Sequence, residues 1–145
     1  MTSRSLESAV AVARALGHPA RLRAVAMLRS GELCGCQVTK VLGLATSTVS
    51  LHLSQLKRCG LVAERKAGRW VYVRLSDDPA AREWVRTAIA AAGADPQLEA
   101  DARLVDELRR LPVEDLCRLG FERARAEARA ADPDQEGRHG PGGCP

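Results

Sequence analysis

The sequence predicts a mainly α-helical domain with one small β-hairpin, and three observations carry that prediction. Apolar residues recur at helical spacing over most of residues 5–60, with Gly31, Gly43 and Gly60 as stops. Val71, Val73 and Leu75 alternate with Trp70, Tyr72 and Arg74 at the period of a strand. A short helix, a glycine-bearing turn and a longer helix precede those strand residues, the layout of a helix-turn-helix followed by a wing.

Residues 5–31 divide at His18-Pro19 into two helices. Pro19 suits a first helical turn, and Leu22, Val25, Ala26 and Leu28 give the second helix its apolar stripe. A short third helix follows around residues 36–43, with Val38, Val41 and Leu42 inward. After Leu44-Ala45 comes the longer helix of residues 46–60, capped by Thr46 or Ser47, with Val49, Leu53 and Leu56 at i, i+4 and i+7. Residues 61–75 read as two strands turning at Ala67-Gly68, and residues 79–93 as a further helix. These make a winged helix-turn-helix domain of residues 1–93. Leu98, Ala102, Val105, Leu108 and Leu111 form another helical stripe, broken by Pro112. Val113 to Cys117 begin a last helix that runs into residues 121–131. Residues 94–131 are thus a helical C-terminal extension, and the Gly/Pro-rich residues 132–145 a flexible tail.

Composition narrows the function. At 145 residues and 46% hydrophobic the chain supports one core, built from Leu, Val and Ala because aromatic residues are only 3%. No apolar run approaches the roughly 18 residues of a membrane span, and MTSRSLESAV has no signal-peptide block, so a cytoplasmic protein without a membrane partner is expected. Five cysteines in such a chain argue for reduced thiols over a disulfide scaffold. Residues 1–76 hold 12 Lys/Arg against 3 Asp/Glu, a net of +9, while residues 77–145 hold 10 against 15, a net of −5. The basic half suits a polyanion. No Ser/His/Asp triad, paired carboxylates or phosphate loop is present, so an enzyme is not expected.

The outward face expected for the longer helix fits nucleic acid. Thr46, Ser47, Thr48, Ser50, Leu51, His52, Gln55 and Lys57 include no acid, and most of them can hydrogen-bond to base edges and phosphates. Arg65, Lys66 and Arg69 gather at the wing tip, within reach of phosphates or a minor groove, although basic ends also keep a hairpin edge soluble. Cys34 and Cys36 raise a different question. Two residues apart on a regular helix, their side chains leave about 200° apart and cannot meet on one ion. A shared ion therefore requires that turn to unwind or rotate, which suits a switch better than a structural site.

The run ELCGC at 32–36, then V-x-x-V-L-G, then S-T-V-S-x-H-L-x-x-L-K-x-x-G-L-V at 47–62 and E-R-K-x-G-R-W-V-Y-V-R-L at 64–75, resembles the ArsR/SmtB family of winged-helix metalloregulatory repressors. The resemblance covers roughly residues 6–76 and points to the arsenic-responsive branch. It implies a homodimer on double-stranded operator DNA that leaves when trivalent arsenic or antimony binds Cys34 and Cys36. It also implies that the first and last helices build the dimer interface, which the extension would thicken, unless the extension docks on its own subunit. Where arsenic sensors of this pattern commonly carry a third cysteine, this chain has Thr39, so the third ligand falls to Cys59, Cys117, Cys144, a small thiol or water. Cys117, beside Leu116 on an apolar face, reads first as core, Cys59 as a spacer beside Gly60, and Cys144 as part of the tail. Relatives that sense cadmium or lead use the same pair without the third cysteine, which keeps those ions as alternatives. The zinc or nickel class is disfavoured because residues 79–93 contain no His. A thiol redox switch on the same scaffold is the second alternative.

Overall fold

The structure, a computed structural model, describes residues 4–119, Ala126 and residues 129–131. Two helices, α1 (Leu6–Leu16) and α2 (Pro19–Met27), meet at His18, whose Nδ1 accepts from the amide of Ala20 and so caps α2 ahead of Pro19. A 3-10 turn at Leu28–Ser30 leads to β1 (Leu33–Cys34), α3 (Gly35–Leu42) and α4 (Thr46–Arg58). Gly43 takes a left-handed φ of 66° and donates its amide to the Thr39 carbonyl, ending α3 where a side chain would be strained. The cap of α4 differs from expectation: Ala45 occupies it with no side-chain bond, and Thr46 lies in the first turn.

The wing is β2 (Val62–Ala67) and β3 (Trp70–Leu75), antiparallel and turned at Gly68, whose φ is 60°. The two residues of β1 add to β3 from the other side, Leu33 opposite Val73 and Cys34 opposite Tyr72, making a three-stranded sheet. After the sheet come α5 (Pro79–Ala92), α6 (Pro96–Arg109) and α7 (Val113–Leu119), the first two entered through Asp78 and Asp95 as N-caps.

One core runs through these elements. Val12, Val25, Leu33, Val38, Leu56, Leu61, Val73, Val105 and Leu108 are essentially inaccessible, and each buried side chain of this size contributes about 1.5–3 kcal/mol. The extension belongs to this core, since α6 lies on α2 and α3 and α7 lies on α3 of its own chain. Of the two alternatives for the extension, docking on its own subunit is the one seen here: the apolar stripe of α6 has its partner within the chain. Ala102 is exposed and Asp101 takes the inward position beside Leu98 and Val105. Asp101 accepts two bonds from Arg23, 2.8 Å from Nε and 2.9 Å from Nη2, and a third from Gln97. Arg23 Nη2 also donates to the Val41 carbonyl, so one guanidinium joins α6 to the last turn of α3. The carboxylate in turn raises the Arg23 pKa. The polar continuation at 121–131 and the tail, with Cys144, lie largely or wholly outside the described residues.

Candidate thiol site and nucleic-acid interface

The thiol site is built where β1 becomes α3. Cys34 is not in the helix but caps it, in an extended conformation with φ −69° and ψ 148°. Its amide donates to Gln37 Oε1 at 2.7 Å, and Cys36 lies in the first turn that follows. The expectation that a helix holds the two thiols apart is therefore wrong. The backbone changes direction at Cys34, and the two sulfurs stand 3.6 Å apart with no unwinding of α3. Cys117, from the middle of α7, reaches the same place. The sulfurs of Cys34, Cys36 and Cys117 all lie within 4.8 Å of one another.

Cys36 and Cys117 are joined as a disulfide across 81 residues of chain, which corrects the expectation of reduced thiols throughout. Cys34 is free and buried, and Cys59 is free and half-buried. Cys59 sits outside the cluster, its thiol donating to the Leu56 carbonyl, and burial pushes its pKa up. The Thr39 hydroxyl donates to the Gly35 carbonyl at 2.8 Å.

The donor set fits a thiophilic ion. Bonds of about 2.3 Å from one centre place their sulfurs about 3.5–4 Å apart, the separation of Cys34 and Cys36 here. Once the disulfide is reduced, Cys117 completes a three-sulfur set. Charged side chains frame the site from two elements that sequence reasoning did not connect with it. Glu32 accepts from Arg65 of the wing through both carboxylate oxygens, and its carbonyl accepts from Arg109 of α6. Arg65 also covers the Tyr72 ring at 4.5 Å, and the bond to Glu32 raises its pKa. Arg65 is thus occupied, which leaves Lys66 and Arg69 as the basic residues of the tip.

The second candidate surface is α4. Its buried face is Val49, His52, Leu53 and Leu56, and Thr46, Ser47, Thr48, Ser50, Leu51, Ser54, Gln55, Lys57 and Arg58 are exposed. His52 therefore leaves the outward set. Three residues after Val49 and four before Leu56, it falls on the inward face and packs on His18 with ring centroids 4.5 Å apart. Arg21 Nη1 lies 3.3 Å from His52 Nδ1, and because Arg can only donate, that nitrogen accepts and the ring is neutral. Burial, then His18, then Arg21 lower the His52 pKa. Lys57 points outward but pairs with Glu64 of β2 at 2.9 Å, and Arg69 lies over Trp70 at 5.7 Å.

Residues 18–64 match the model of the family described as bacterial regulatory protein, arsR family. Over 75 residues the chain is 39% identical to the arsenic resistance transcriptional regulator ArsR1 of Pseudomonas putida, a match spanning 51% of this chain and 57% of that protein. The HTH-type transcriptional regulator CmtR of Mycobacterium tuberculosis is 42% identical over 83 residues, 57% of this chain and 70% of its own length. A cadmium resistance regulatory protein CadC homolog of Staphylococcus aureus is 38% identical over 68 residues, 46% and 56% respectively. Among solved structures, the homodimeric winged helix-turn-helix DNA-binding domain Mb0332 of Mycobacterium bovis superposes with a TM-score of 0.54 at 28% identity, covering 63% of this chain and 90% of that one.

Proposed function

Because this chain belongs to the arsR family of bacterial regulatory proteins, we propose that it is a transcriptional repressor that holds operator DNA as a dimer and releases it when Cys34, Cys36 and Cys117 capture trivalent arsenic or antimony. The observation that carries this reading is the gathering of three sulfurs from β1, α3 and α7 at the first turn of the helix-turn-helix. Three thiolates suit a trivalent arsenic or antimony centre, and the described residues bring three sulfurs together.

The lever is the third sulfur. Cys34 and Cys36 already converge, so unwinding of α3 is not required. Drawing Cys117 onto the same centre fixes α7 against the start of α3, and α3 packs on the recognition helix α4. An effector that binds more tightly when α7 is held against α3 than in the form that grips the operator would, by linkage, weaken operator binding by the same factor by which the operator weakens its own. The reading is tested by titrating the operator complex with arsenite, antimonite and cadmium under reducing conditions. Release at the lowest concentration by arsenite or antimonite is expected, and loss of release in Cys117→Ser.

A second reading is favoured by the disulfide. Oxidation of the Cys36 and Cys117 thiols gives up two electrons and two protons to a peroxide or a small-molecule disulfide, and ties the same two elements covalently. Release of the operator by peroxide without any metalloid would support this redox regulator.

A further inference from the structure

Leu51 is the one large apolar side chain on the outward face of α4, and it is 59% exposed. Helical spacing places it between Ser47 and Thr48, one turn before it, and Gln55, one turn after it, all exposed. Among the described residues nothing covers it, although the same helix buries Val49, Leu53 and Leu56 on its other side.

The surroundings define the occupant. The helix carries no acid and ends in Arg58, beside a Lys57 already paired with Glu64, so the face suits a polyanion and not an acidic partner surface. Ser, Thr and Gln match hydrogen-bonding groups on base edges, and the thymine C5-methyl is the one apolar group that the major groove displays. Resting on the repressor reading above, we infer that Leu51 packs on a thymine methyl in each operator half-site and selects T at that position. Gln55 lies about 6 Å further along the axis, less than two base-pair steps away, so the two side chains address neighbouring pairs of one short run.

The experiment uses the reduced full-length chain and a duplex that this chain has selected from a random library. Each thymine of the half-site is replaced in turn by uracil, which removes only the methyl group. For the unsubstituted protein, one position per half-site should lose about fourfold in affinity, the effect of one methyl returned to water. Leu51→Ala should bind the thymine duplex about fourfold more weakly and no longer distinguish uracil from thymine at that position. Its thermal unfolding should be unchanged, because the side chain is exposed. A Leu51→Ala protein that binds as tightly as the parent, or that still loses fourfold on the uracil duplex, overturns the assignment while leaving DNA binding by the chain intact. If the parent selects no duplex at all, the repressor reading fails and takes the inference with it.

Discussion

The first and second helices of the helix-turn-helix touch, yet they are held in opposite ways. The first turn of α3 is tied down by a strand pair, by the Gln37 side chain and by a disulfide to α7, while its last turn is bonded to Arg23. The outward face of α4 is tied by little beyond Lys57 with Glu64. One helix has side chains that answer to the protein, and the other has side chains left free for something outside it. On the proposed function, sensing and reading are separable, and a substitution on either helix should disturb one without the other.

The largest effect expected concerns oxidation. Closing the Cys36–Cys117 disulfide removes two of the three sulfurs, so the oxidised chain should bind arsenite at least 100-fold more weakly than the reduced chain. Calorimetry on the two forms, with thiol counting, checks this; equal affinity would place the effector elsewhere. On α4, Thr48→Ala or Gln55→Ala should cost about 1–3 kcal/mol of specific operator binding, about 5- to 150-fold, if these side chains touch bases. Arg69→Ala should instead weaken all duplexes alike and lower the salt slope by about one. Neither change should alter metalloid affinity in the absence of DNA.

The bond between α6 and the rest of the domain gives a smaller change. Asp101→Ala leaves the Arg23 guanidinium without its carboxylate, and because Arg23 keeps partial exposure the cost should be about 2 kcal/mol, below that of a fully buried pair. Denaturant unfolding measures it. The smallest effect is the pH dependence at His52. Its pKa is lowered in the folded chain, so the unfolded chain binds the proton more readily, and stability present above the ordinary imidazole range near ~6.5 is lost as pH falls through the folded value. His52→Gln should flatten that part of the stability profile, and a slope unchanged by the substitution would assign it to another group.

What the sequence revealed and what it hid divide along the same physical line. The helices and the hairpin were legible because Leu53 and Leu56, or Val71 and Val73, declare their period within a few residues. The strand β1 was not, since two residues become a strand only through β3 some forty positions away. The polarity of His52 suggests an outward position, whereas its spacing from Val49 and Leu56 places it inward. The inward place of Asp101 in an apolar stripe is not legible locally, because its partner Arg23 is 78 residues distant. For the thiols a local signal did exist: Gln37 three residues after Cys34 marks a helix start, which puts Cys34 outside the helix and beside Cys36. Nothing local brings Cys117 to them, because cysteine pairings over such distances are not encoded in spacing.

The central claim, that the effector acts through the sulfurs at the start of α3, is tested most directly by the Cys34→Ser, Cys36→Ser double variant. Its operator affinity is measured under reducing conditions with and without arsenite. Operator binding close to that of the parent is expected, with no release at arsenite concentrations 100-fold above those that release the parent. A double variant released at the parent's arsenite concentration would contradict it.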